Sequence, residues 1–325
     1  MKNSILLTAL LCMLMVSCIS EDMIENQDDK FFDATFTVFV NDQYKTHTKT
    51  GYSDLVACAV YDDAGNELDY HKTLNLQGNK AVYNVKLPKG LDYRVAFFAY
   101  KGNANGESEY YDVSDLKNIS VKPASANIEE RDAFSAYVEF KTSNLSDVTT
   151  FSQQVTLGRI YAQLNLGINK EELDAAVASG IEVSKSRLKA SNVYNTYSAY
   201  ENHPVGSPSD AIFEMNELPA GKFIEEDEEY YYLSQNFLLV DNPDGEQSKT
   251  NIELSWITAE GTESSSAISF KEIPVQTNYR TNITGRLLTN HAIYNVTHGE
   301  MADNRIQFLA GNQVNSSGLS LLLWY

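Results

Sequence analysis

The side chains that could do chemistry are few and scattered. The 325-residue chain has three cysteines, Cys12, Cys18 and Cys58, and five histidines, His47, His71, His203, His291 and His298. No histidine falls in an H-E-x-x-H spacing or beside a cysteine, so no zinc site is expected. The chain has no G-x-S-x-G elbow, no P-loop and no G-x-G-x-x-G turn. Two stretches offer oxygen ligands: Asp62, Asp63, Asn66 and Asp69, and then Asp241, Asn242 and Asp244. Neither fits the twelve-residue calcium loop, and plain turns explain both. The run Glu225, Glu226, Asp227, Glu228, Glu229 could meet a cationic partner, but it reads better as a solvated loop entering a strand. With 44 acidic residues, no pair can be singled out for glycoside hydrolysis. The 20 tyrosines could stack on sugar rings, yet many, such as Tyr83, Tyr93 and Tyr161, alternate within strands, where packing explains them. This is a non-enzymatic profile with no cofactor and no metal.

Cys18 is the residue whose chemistry is most specific. Lys2 gives a short basic start, and Ile5 to Ser17 is almost wholly apolar. That run is too short to span a bilayer, which takes about 20 residues, and it has the form of a secretory leader. Met15-Val16-Ser17-Cys18 resembles a bacterial lipobox, with Cys18 as the first mature residue and the lipidation site. One acyl chain binds only marginally, so two or three would be needed for a stable anchor. Cys12 then leaves with the leader and Cys18 carries lipid. Cys58 remains alone in "LVACAVY", a small buried hydrophobe with no disulfide partner.

Loss of Lys2 with the leader takes the net charge from −19 to −20. Such an acidic chain makes a poor nucleic-acid binder and is repelled by an anionic lipid surface. Lipid attached to Cys18, and not surface charge, is therefore the expected membrane partner. The expected location is the outer membrane, exposed at the cell surface.

The elements that follow are mostly strands. Residues 18–31 read as an acidic tether. Ala34, Phe36, Val38 and Val40 share a face, as do Ala81, Tyr83, Val85 and Leu87. Tyr93, Val95, Phe97 and Ala99 form a third set, and Phe134, Ala136, Val138 and Phe140 a fourth. Turn residues separate them, which predicts an antiparallel sandwich or barrel with one wet face. The polar stretch Lys141 to Thr150 looks like a junction. Beyond it Ile160, Ala162, Leu164 and Leu166 share a face. One helix is predicted from Asn169, an N-cap with Glu172 three residues on as a capping box, to Gly180. The expected division is a leader at 1–17, a tether at 18–31, one β-sandwich at 32–148 and a second at 149–325.

Four segments follow in order: "VTLGRIYAQLNLG", "IEVSKSRLKASNVYNTYSAY", "YYYLSQNFLLV" and "IPVQTNYRTNITGRLLT". Together with the lipobox and the acidic Ser20-Glu21-Asp22, they make the chain resemble the fimbrillin-like surface lipoproteins of anaerobic Gram-negative gut and oral bacteria. The resemblance covers roughly residues 30–296. It implies an all-β fold of two tandem Greek-key, transthyretin-like sandwiches, with the one short helix in the second. It also implies a fimbrial subunit or fimbria-associated adhesin whose partners are other pilin subunits. In that family an arginine-specific protease removes the first strand, and a strand of the next subunit fills the groove. Head-to-tail contacts of this kind build an open filament.

Two departures qualify what is implied. The first arginine is Arg94, and only Lys30, Lys45 and Lys49 lie near the first strand, which points to an anchor, tip or non-polymerising member. The ending from Gly299 to Tyr325 departs from the family's usual form, and either a divergent donor strand or a disturbed terminus accounts for it. A glycan-binding surface lipoprotein of a polysaccharide-uptake system is the alternative reading.

Overall fold

The computed structural model describes residues 30–40, 53–103, 105–142, 150–242, 245–289 and 293–300. In the first half β1 (Phe31–Val40), β2 (Leu55–Asp62), β3 (Lys72–Asn75), β4 (Lys80–Pro88) and β5 (Asp92–Tyr100) are followed by two short strands, β6 (Tyr111–Asp112) and β7 (Ile119–Val121). The half closes with β8 (Phe134–Lys141) and β9 (Thr150–Arg159). The second half opens with β10 (Ala162–Ile168), the helix α1 (Lys170–Ala178), β11 (Val183–Val193), β12 (Thr196–Ser198) and β13 (His203–Pro204). It continues through β14 (Ser209–Glu217), β15 (Lys222–Glu225), β16 (Glu228–Leu238), β17 (Ser248–Thr258), β18 (Ile268–Val275), β19 (Tyr279–Gly285) and β20 (Tyr294–Glu300).

Seven strands of the first half run in the order β3-β2-β5-β8-β9-β1-β4. The β8–β9 link spans only Phe134↔Arg159 and Ser135↔Gly158, so the sheet folds there into two layers. The alternation predicted for β1 and β4 holds, with Phe36, Val38, Tyr83 and Leu87 turned inward. Phe36 lies at the centre, within 5.7–6.2 Å of the rings of Phe97, Phe140, Phe151 and Tyr83. Each such ring pair adds about 0.5–1.5 kcal/mol beyond its buried area.

The second half packs β15-β16-β10-β19-β20 over β14-β11-β17-β18. Leu164, Leu166, Leu188, Leu254, Phe270 and Ile283 fill the space between. The chain is thus all-β, in two sandwich-like parts with one helix in the second.

Two expectations are corrected, and one boundary is placed differently. Pairing is not wholly antiparallel: β1 runs parallel to β9, and β10 runs parallel to β19. In each case the intervening chain crosses to the facing layer and returns, so the strands point the same way. The polar junction does not end the first sheet, because β9 pairs with β1 and β8. We propose that the division between the halves falls after Arg159; the expected boundary was 148/149. Finally, β2 and β5 have no wet face. Val56, Cys58, Val60 and Phe97 enter the first core, while Ala57, Tyr61, Phe98 and Tyr100 enter a third apolar cluster with Tyr111, Tyr161, Tyr197 and Phe237.

That third cluster joins the halves. Above it lies a small sheet, β13-β12-β7-β6, built from both halves of the chain. Ile160, just before β10, leaves the face predicted for it with Ala162 and Leu164 and joins Tyr161 in this cluster, whereas Ala162 and Leu164 stay in the second core.

Candidate functional site

Strand β1 is the element on which strand exchange would turn. It sits between β4 and β9 and bonds to both, with nine register positions on one side and eight on the other. Phe32, Ala34, Phe36 and Val38 are at most 1% exposed. Each large apolar side chain drawn out of such a core forfeits about 1.5–3 kcal/mol. β1 is therefore an interior strand, not a loose edge.

Arg94, the first arginine, is held in place on β5. Its Nε donates to Glu139 at 2.9 Å and its Nη1 to the Tyr200 carbonyl oxygen at 3.0 Å. The guanidinium lies over the rings of Tyr137 and Tyr200, at 4.6 and 4.3 Å. The hydrogen bonds to Glu139 hold it firmly in the charged state despite partial burial.

At the other end of the chain β20 is an edge strand. Its sole ladder partner among the described residues is β19, in the register Tyr279↔Glu300 to Gly285↔Tyr294. Ile293, Tyr294 and Val296 are exposed on or beside it, at 53%, 37% and 36%. An apolar edge with unpaired backbone groups is a template for another strand.

His298 fixes the middle of this edge. It stacks on Tyr279 with ring centroids 5.1 Å apart. Its Nδ1 lies 2.9 Å from the Thr281 Oγ1, whose one hydrogen goes to the Pro274 carbonyl oxygen at 2.6 Å. Nδ1 must then carry the proton and donate. Nε2 is buried with no partner, and burial lowers the imidazole's pKa.

The remaining sequence candidates resolve into structural roles. Asp62 is a turn residue that accepts from the Asn66 backbone and side chain at 2.7 and 3.0 Å. Those bonds hold its carboxyl below the usual range. Asn242 donates to Glu246 and Ser248 in its own loop and to the Val275 carbonyl oxygen at the end of β18, while Asp244 lies outside the described residues. Among the described residues no three His, Cys, Asp or Glu side chains gather as a metal site. The acidic run makes the tight β15–β16 turn, with Glu226 and Asp227 at φ of 49° and 67°.

His71 pairs with Glu67 and His203 with Glu201, while His47 and His291 lie outside the described residues. Cys58 is buried, and burial pushes its thiol far up. Cys18, the expected lipidation site, also lies outside the described residues, as does the tail beyond Glu300. No helix among the described residues is long and apolar enough to cross a membrane.

The helix shows a different use of a predicted residue. Asn169 caps it, accepting from the Glu172 backbone at 3.0 Å, and Gly180 closes it at φ 80°. The Glu172 carboxylate does not take the capping-box role. It accepts from Leu288 N, Thr289 N and Thr289 Oγ1 at 2.9, 2.7 and 2.7 Å, pinning the turn after β19. Beside it, α1 and β16 border an apolar cavity of about 640 Å³ lined by Leu173, Val177, Tyr231 and Leu288. Sequence reading also passed over Arg131, which lies in "NIEERDAF" with no motif around it; its neighbouring acids were the only signal.

Among the described residues, the fold is a two-sandwich β protein whose first strand is interior and whose last strand lies at a sheet edge. The chain belongs to the family of unknown function DUF6562, whose model matches residues 29–315. No curated protein matches it. Among solved structures it is similar to the fimbrial anchor protein Mfa2 from Porphyromonas gingivalis, at 11% identity and a TM-score of 0.45, covering 82% of this chain and 95% of that one. It is similar to a candidate adhesin from Bacteroides ovatus, at 14% identity and a TM-score of 0.45, covering 78% and 88%. It is also similar to a candidate polysaccharide-binding protein (DUF1812) from Bacteroides thetaiotaomicron, at 12% identity and a TM-score of 0.49, covering 84% and 99%.

Proposed function

We propose that this chain is a cell-surface, fimbria-associated protein, lipid-anchored through Cys18, that acts as an anchor or adhesin and not as a repeating pilus subunit. The observation that carries this reading is the locked first strand. β1 is bonded on both sides, and no arginine follows it before Arg94. Without release of β1 there is no groove for a donor strand, and the exposed β20 edge is left as the place for strand addition.

The anchor is tested by labelling cells with an alkyne fatty acid. Label on the wild type and none on Cys18→Ala supports the reading. Equal label on both sinks the anchor. Protease shaving of intact cells tests display, and a protein left whole until the cells are lysed sinks the surface claim.

A second reading, a glycan-binding surface lipoprotein, is favoured by a cleft between the two halves.

A further inference from the structure

Where the halves meet, the segment after β7, the start of β10, the β11–β12 link and strands β14 and β16 enclose a cavity of about 340 Å³. That is within the range of roughly 300–1,000 Å³ in which small-molecule sites fall. Arg131 lines it from a short 3-10 turn and is only 6% exposed. Its guanidinium lies 5.1 Å from the Phe213 ring centre. Its Nε is buried and has no hydrogen-bond partner.

Two of the acids near it are already paired. Asp132, next in sequence, is bound by Arg159, whose Nε meets its two oxygens at 2.7 and 2.9 Å. Asp210 on the cavity wall pairs with Lys189 at 3.0 Å. Lys122, also on the wall, donates to the Ser108 carbonyl oxygen at 2.7 Å and adds a second positive charge. The chain as a whole carries −19, so a cationic pocket is a local exception. A desolvated guanidinium with an unused donor is costly, and it is relieved by an anion that accepts in the plane of its fork.

The other walls select among anions. Tyr194 offers aromatic surface, while Asn195 and Asp210 offer polar groups for hydroxyls. An inorganic anion leaves the aromatic wall unused. An extended acidic peptide needs a long groove, and this space has room for about one ring.

We propose that this cleft binds one acidic sugar residue, with its carboxylate on Arg131 and its ring against Tyr194. The inference gives a ligand class to the glycan-binding reading but does not depend on surface display, because it is tested on the purified full chain.

Calorimetric titrations with D-glucuronate, D-glucose and an acidic dipeptide decide it. We expect glucuronate to bind in the millimolar range or tighter, glucose about tenfold more weakly or worse, and added salt to weaken glucuronate. Arg131→Gln should weaken glucuronate about tenfold or more. Ile212→Glu, on a cavity-lining residue that is 50% exposed, should repel the same ligand without touching the core. Glucuronate binding no tighter than glucose, or a dipeptide binding tighter than glucuronate, overturns the proposal. If Arg131→Gln does not fold, Ile212→Glu decides alone, and unchanged affinity in it overturns the proposal.

Discussion

Arg159 and Asp132 form an ion pair sealed from solvent, with side chains 1% and 0% exposed, where the first half hands over to the second. Arg159 ends β9, and Asp132 follows the turn that carries Arg131. Removing one partner strands the other charge in the interior, which costs about 3–5 kcal/mol. Asp132→Ala should therefore lower the urea midpoint sharply at unchanged m-value. A double replacement by Met at 159 and Leu at 132 should recover much of the loss.

The lock on β1 predicts its behaviour towards proteases. No arginine lies between β1 and Arg94, so the test uses a lysine-specific protease, which can cut at Lys45 and Lys49. The cut strand should stay bound to the folded chain, as read by native mass spectrometry. Release of the β1 fragment contradicts the locked strand. In parallel, Phe36→Ala should cost about 3–5 kcal/mol in chemical denaturation, because four ring contacts collapse onto one cavity.

The His298 site predicts a pH-dependent edge. Its folded pKa lies below the unfolded value because the imidazole is partly buried. A base held neutral in this way contributes stability that is present above the unfolded pKa. That stability is lost as pH falls below it. Protection of the β19 and β20 amides, corrected for the pH dependence of intrinsic exchange, should therefore fall between pH 7.5 and pH 5, around the ordinary histidine value of about 6.5. His298→Gln should remove most of that pH dependence. Corrected protection that stays flat in the wild type contradicts the assignment.

Glu172 ties α1 to the turn after β19. Glu172→Ala should cost about 1–3 kcal/mol, because two backbone N–H groups lose their acceptor. Its local signature is faster exchange at Leu288 and Thr289. Loss of helix content with those amides still protected contradicts this role.

The strands were legible because period-two alternation survives wherever one face meets a core. Tyr83, Val85 and Leu87 on β4 show it directly. The sequence does not reveal that β2 and β5 are buried on both faces: Ala57, Ala59 and Ala96 fit a wet face as well as a dry one, and only contact with the other half fills it. The parallel pairings were hidden for a related reason, since strand direction depends on which layer the intervening chain crosses. Asn169 could be read as a cap because capping is local. The partner of Glu172 lies more than a hundred residues on and could not be read. Arg131 escaped notice because its isolation is a property of the folded neighbourhood and not of spacing.

The parallel pairing of β1 with β9 has a mechanical consequence. The chain enters the first sandwich at Phe31 and leaves it at Arg159, and these two strands lie side by side from Asp33↔Thr150 to Val40↔Leu157. Tension drawn between Phe31 and the second half pulls them in opposite directions along their length. The rungs between them are then loaded together in shear instead of opening one after another. A molecule tethered at one end and gripped at the other would resist flow as a clasp does, by sharing the load across the whole ladder.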